Sequence, residues 1–361
     1  MSDPPRVQLW VGTRKGLFRV TADGAGDDWK LAGPFLEGYE IHHATADTSR
    51  QSSVYAVTNH RVWGSHVHRT DDEGASWRML EGHISFPEAE ERDVRAIWHL
   101  GSSVAAPSLL YAGVQPAALF RSDDRGESWN WVRSLHEHPT RAAWQPTRGG
   151  MALHSIQIDP RTPRRVYVSV SAGGSYRSDD GGDSWIPINQ GVRAEYLPDP
   201  SGPAGHNPHA LRLHPAAPDR LYRQDHSGVY RSDDRGESWI DLSAGLPSDF
   251  GFALAVDPRD PDRCWVVPEE SSHMRCVCDG RLRVYETGDG GRTWVARTEG
   301  LPQDYAYVSV LRDALCTDTA DPCGVYLGTS TGHLFASLDG ARWSLAAGYL
   351  PPILCVTAVS R

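Results

Sequence analysis

Residues 121–129 read RSDDRGESW, and the chain keeps rewriting that phrase. It returns as RSDDRGESW at 231–239 and as RSDDGGDSW at 177–185, with looser copies RTDDEGASW at 69–77 and ETGDGGRTW at 286–294. SLDGARW at 337–343 and TADGAGDDW at 21–29 are degenerate copies. The seven copies end in Trp29, Trp77, Trp129, Trp185, Trp239, Trp294 and Trp343, spaced 48 to 56 residues apart. A repeat of that period means propeller blades or solenoid turns.

The phrase has a mechanical reading. Ser or Thr, Asp two residues later, Gly two after that and a closing Trp describe a tight turn. The Asp carboxylate accepts backbone N–H groups, Gly takes a conformation other residues resist, and Trp fills the space between sheets. The pattern resembles the Asp-box (BNR) repeat of sialidase-like β-propellers over nearly the whole chain. It is similar to bacterial proteins labelled BNR-repeat glycosyl hydrolases or exo-sialidases. The resemblance implies that each box lies on the turn between the two outer strands of a blade, away from any pocket. Asp72, Asp124, Asp180, Asp234, Asp289 and Asp339 are then turn residues, and the box tryptophans are core plugs.

A chain of 361 residues would ordinarily suggest two or three domains. Seven repeats of this period instead make one closed all-β domain, a seven-bladed β-propeller, with six blades as the competing count. Each repeat reads as four strands, A to D from the inside outwards. Strand B is an alternating apolar run such as VYAV or RVYVSV, strand C leads into the box, and strand D starts at its Trp. Strand A precedes an Asp-Pro or similar turn: HHATAD, HSIQIDP, HALRLHP and FALAVDP, with RAIWHL and YVSVLRD as irregular versions. The N-terminus begins on a B-type strand and LCVTAVS near the C-terminus reads as the missing A strand. The last strand is therefore expected to pair with the first and close the ring, removing exposed sheet edges.

A net charge of −10 argues against nucleic acid or an anionic membrane as partner. The opening MSDPPRVQLWVGTRKG lacks the apolar run of a signal peptide, so a cytoplasmic location is expected. The six Cys residues read as buried small apolar groups; Cys316 and Cys323, bracketing a loop, are the one pair placed to bridge.

Aligning the A strands on their turn brings His42, Arg95, His154, His209, Phe252 and Tyr307 to one height, with Leu354 or Cys355 in the last blade. Two residues upstream a second ring reads Glu40, Asp93, Ala152, Asn207, Phe250 and Tyr305. The B–C loops open on the same face and offer Arg14, His60, Gln115, Asp225, His226, Glu269 and Glu270. Two long connections, 133–152 and 189–208, run over that face as a partial lid. The expected functional site is this mouth, with a small polar or anionic molecule as its partner.

Three readings follow. In the first, His42, His154 and His209 hold a divalent metal (zinc, iron, manganese or copper), with His226, His60 or His273 as possible replacements within the trio. Arg95 then anchors an anionic group, Tyr307, Glu269 and Asp93 handle protons, and Arg14, Asn207, Phe252, Tyr305, Gln115 and His60 contact substrate. Hydrolysis, elimination and oxidation remain open. The second reading takes the resemblance at face value: a metal-free glycoside hydrolase with a Tyr–Glu nucleophile pair and an arginine triad. Only Arg95 and Arg14 stand at the expected positions, however, and the Phe/Tyr-Arg-Ile-Pro phrase of sialidases is absent. The third is a scaffold or binding propeller without catalysis.

Overall fold

A computed structural model describes residues 7–22, 28–47, 52–146 and 150–359. It contains seven four-stranded antiparallel sheets, each one blade. The box copy at 21–29 lies largely outside the described residues. In blades two to seven the chain runs from the inner strand outwards. The first blade is composite: its inner strand Ile353–Val359 pairs with Val7–Thr13, followed by Gly16–Ala22 and Trp29–Phe35. The expected closure is thus the observed one. Gly12 is required at this seam, because a Cβ there would lie 2.4 Å from Cys355 Sγ and 2.6 Å from the Ile41 carbonyl oxygen.

The second strand of each blade is apolar because blades cover it on both faces. Val166–Val170 and Cys264–Pro268 are buried at every residue. The boxes make the turn their sequence suggests. Ser122, Ser178 and Ser232 each accept the amide N–H of the box glycine at 2.8 Å. Asp124, Asp180 and Asp234 each accept the amide of the following Ser at 2.9 Å. Gly126 and Gly236 have φ of 89° and 85°, the left-handed region that favours glycine. The Trp that ends the turn wedges between blades. Trp239 Nε1–H donates to the Ile188 carbonyl at 2.9 Å and Trp294 to the Leu242 carbonyl at 2.8 Å, each in the preceding blade.

All six cysteines are free, so Cys316 and Cys323 are not bridged. Among the described residues no helix is long and apolar enough to cross a membrane.

The inner strands carry a feature that the repeat pattern conceals. Their pairing with the second strand slips between Ile97 and His99, between Leu153 and Ser155, between Pro208 and Ala210, and between Gly251 and Leu254. A comparable slip skips Leu354 in the first blade. These are β-bulges, and a bulge re-aims the extra side chain. Trp98, His154, His209, Phe252 and Leu354 are the residues so displaced.

Candidate functional site at the channel mouth

The bulges decide which side chains meet at the mouth. Two adjoining cavities open there. One, of about 430 Å³, is lined by Trp98, Asn207, His209, His226, Phe252, His273, Arg275 and Arg312. The other, of about 250 Å³, is lined by Arg14, Glu40, His42 and Leu354 and shares Trp98, Arg275 and Arg312 with the first.

The expected ring is therefore partly right. His42, His209, Phe252 and Leu354 face the mouth, as do Glu40 and Asn207 one layer up and Arg14 and His226 on the loops. Arg95 and Tyr307 do not belong to it. Trp98 holds the place given to Arg95, because the third blade's inner strand runs Ala96–Ser102 and its bulge falls at Trp98. Arg95 and Asp93 are exposed and line neither cavity. In the seventh blade the inner strand is Leu315–Thr317 rather than YVSVLRD. Tyr307 sits in the preceding loop at 60% exposure, and Arg312 with Asp313 takes its place.

A sequence signal for both errors exists. An aromatic residue follows the turn residue by eight positions: Tyr55 after Asp47, Tyr167 after Asp159, Tyr222 after His214, Trp265 after Asp257. Counting back eight from Tyr111 and Tyr326 gives Ser103 and Asp318, and five further back gives Trp98 and Asp313. Asp318 indeed receives the Tyr326 hydroxyl at 2.7 Å.

The proposed His trio is not assembled. His154 is buried at 1% exposure, lines neither cavity, and leaves Nε2 without a partner. His209 donates Nδ1–H to the Gly251 carbonyl at 2.6 Å and stacks on Phe252 at 4.5 Å between ring centroids. His42 packs against Trp98 at 4.7 Å and pairs with Glu40 at 3.3 Å. Among the described residues the set of three ligating side chains close enough to share an ion is a different one: His43, His99 and Asp313.

His60 lines neither cavity and accepts the Val62 and Trp63 amides at 3.1 Å. Gln115 accepts the Trp98 indole N–H at 3.1 Å and so steers that ring. Asp225 is locked in a fully buried ion pair with Arg223. Glu269 is fully buried; its Oε1 accepts the Ser309 hydroxyl at 2.7 Å and the Val310 amide at 3.0 Å, and its Oε2 has no partner.

Charge at the mouth is dominated by guanidinium groups. Arg312 lies 5.2 Å and Arg275 5.4 Å from the Phe252 ring centroid, and Arg312 lies 5.7 Å from that of Trp98. Among the described residues neither forms a salt bridge, and Arg312 Nε has no hydrogen-bond partner. Burial pushes Arg312 down to about 10, with Asp313 opposing and Arg275 adding to the fall; it still carries its charge at neutral pH. Neither arginine falls at a repeat position: Arg275 lies in the loop between Cys264–Pro268 and Val284–Thr287, and Arg312 in the loop before Leu315–Thr317.

Two carboxyl groups near these arginines are pushed in opposite directions. The His42 hydrogen bond holds Glu40 below the usual carboxylate range, helped by Arg14 and Lys15. Burial raises Glu269, with Ser309, Val310 and the two arginines opposing.

Beside the pocket, the same face carries exposed aromatic rings. Tyr305 is 89%, Tyr349 97% and Trp63 67% exposed. Tyr305 and Tyr307 border an apolar groove of about 770 Å³ with Pro302, Val308 and His333. Tyr305 and Tyr349 hold left-handed backbone, φ 54° and 60°, which a bulky residue adopts only when its surroundings impose it.

No family model matches the chain. It is 26% identical over 292 residues to the oligoxyloglucan-reducing end-specific xyloglucanase of Emericella nidulans, an alignment covering 71% of this chain and 34% of that protein. The GH74 xyloglucanase of Xanthomonas campestris superposes with a TM-score of 0.70 at 19% identity, over 96% of this chain and 53% of that one. The BP39L lectin of Burkholderia pseudomallei superposes with a TM-score of 0.56 at 16% identity, over 97% of this chain and 96% of that one. The likeness shows a β-propeller shared with glycosyl hydrolases and a lectin. The chain spans about a third of the length of the Emericella relative.

Proposed function

We propose that the channel mouth binds an oligosaccharide bearing a carboxylate and hydrolyses the glycosidic bond beside it. One observation carries this reading. Arg14, Arg275 and Arg312 line one cavity, none of them in a salt bridge among the described residues, with Arg275 against the ring of Phe252 and Arg312 against those of Phe252 and Trp98. Guanidinium groups recognise carboxylates through paired N–H donors, and aromatic faces suit the apolar faces of sugar rings. Glu269, raised by burial, is assigned as the acid; it lines neither cavity, so the pocket wall must move for its proton to reach the leaving oxygen. Glu40, held ionised, serves as the carboxylate partner, since two carboxyls pushed apart in pKa divide those roles. The exposed aromatic rim extends the site along a longer chain. The xyloglucanases named above supply the precedent for sugar chemistry on this fold, while the arginines favour an acidic substituent.

The test is reducing-end release from uronate-terminated oligosaccharides, set beside neutral xyloglucan oligosaccharides. Arg312→Ala should weaken binding of the acidic ligand by about tenfold to a hundredfold and leave neutral ligands unaffected, the size expected for a charge-assisted hydrogen bond. Equal loss for both ligands would remove the carboxylate from the proposal. A second reading rests on the complete burial of Glu269. If the acidic oligosaccharide binds without turnover, and Glu269→Gln binds it equally well, the mouth is a lectin site.

A further inference from the structure

We propose that His43, His99 and Asp313 form a binding site for a divalent transition metal, zinc or ferrous iron, at the neck between the mouth pocket and the channel below it. The three residues come from the inner edges of blades two, three and seven. Their ligating atoms all lie within 4.8 Å of one another. An ion bonded at about 2.1 Å to each needs those atoms somewhat closer, a contraction that side-chain rotation supplies.

Three observations point to an ion. First, His99 is 5% exposed and its Nδ1 has no hydrogen-bond partner, a state that is ordinarily costly. His43 does little better: its Nδ1 meets the Leu100 amide only at 3.4 Å, a contact that coordination would give up cheaply. The two rings are close and tilted, 3.8 Å between centroids and 32° between planes, with the carboxylate beside them. Second, the carboxylate is oriented. Arg212 donates to Asp313 Oδ1 at 2.9 Å and to the Arg312 carbonyl at 3.0 Å, which leaves Oδ2 available. Such outer hydrogen bonds fix a ligand's direction. Third, there is access. Asp313 borders the mouth cavity, and all three residues line a channel cavity of about 360 Å³ on the other side, so an ion can enter and keep open positions.

The protonation states agree with this geometry. Burial holds His43 below, and His99 well below, the ordinary imidazole value. Asp313 is ion-paired with Arg212 at 2.9 Å, which favours its ionised form. Neutral imidazoles and an ionised carboxylate are the forms a metal takes. Two imidazoles and one carboxylate, with positions left open, suit zinc or ferrous iron.

The experiment uses the full chain without a His tag, stripped with chelator and then reconstituted with zinc, cobalt(II) or iron(II). Elemental mass spectrometry should find one equivalent bound. Cobalt should show the visible bands of nitrogen and oxygen ligation, and zinc should raise the melting temperature. His99→Gln and Asp313→Asn should each lose at least tenfold in affinity, while His42→Ala and His154→Ala should bind as wild type. His99→Gln keeps much of the side-chain volume, and circular dichroism confirms that each variant folds. A wild type that takes up none of the three ions overturns the site. So does a folded His99→Gln with unchanged uptake, or metal lost from the His42 and His154 variants instead. None of these outcomes depends on the glycosidase assay.

Discussion

Glu269 shows how much one buried atom can decide. Its carboxyl is raised by burial, so the folded chain holds the proton to higher pH than the unfolded chain does. Below the unfolded value of 4.5 both forms are protonated and Glu269 costs nothing; as pH rises past it, stability is lost. Glu269→Gln should therefore be more stable than wild type at pH 7, with the difference vanishing towards pH 4.5, measured by denaturant unfolding at several pH values. If Glu269 is also the acid of the reaction, the same variant loses about a hundredfold or more in turnover, the usual share of a general acid. A gain in stability with turnover unchanged would leave it a structural carboxyl. At this scale the sequence was a partial guide. His42, His209, Phe252 and Glu40 were legible from register alone. Trp98, Arg275 and Arg312 were not, because bulges and loop lengths, not repeat position, bring them to the mouth.

At the scale of the element, the box turn is where sequence and structure agree most closely. Each of its bonds is local, formed between residues two to four apart, so a short motif carries the whole geometry. Ser232→Ala leaves the buried Gly236 amide without its acceptor and should cost about 1–3 kcal/mol without changing ligand affinity. The boxes also set an acid limit. Ser76 and Thr293 hold Asp72 and Asp289 down to about 2, below their unfolded value of 3.8. Lowered carboxyls stabilise above the unfolded value, and that contribution drains away as pH falls from 3.8 towards about 2. Asp72→Asn and Asp289→Asn should flatten this acid arm of the stability profile; a profile identical to wild type would show that the boxes do not govern it. The inner strands were harder to read. Leu315–Thr317 is three residues long and follows a loop whose LRD imitates the usual turn, so an alternating pattern had little length in which to declare itself.

For the whole molecule, seven blades and their closure follow from the repeat period and from the surplus inner strand at the far end of the chain. Closure concentrates strain-sensitive contacts at one seam. Gly12→Val would drive a side chain into the Ile41 carbonyl, which is backbone and cannot step aside. Overpacking ordinarily costs about 1–3 kcal/mol, and this variant should lie at or beyond the upper end. The expected readout is loss of soluble protein, or a melting transition far below that of a substitution in an outer strand such as Ile240→Val. A Gly12→Val that melts as wild type would mean that the seam is looser than it looks.

The seam also has a history in time. The Thr357 hydroxyl reaches the Ala44 carbonyl across 313 positions of chain, so contacts beside the closing strand join residues synthesised far apart in time. Contacts of such separation form slowly, because a long loop must be ordered before they reward it. Until then the first three strands wait with their inner edge bare, exposed to any other chain with a strand to lend. A nascent ring is a clasp held open until Ile353–Val359 arrives to shut it.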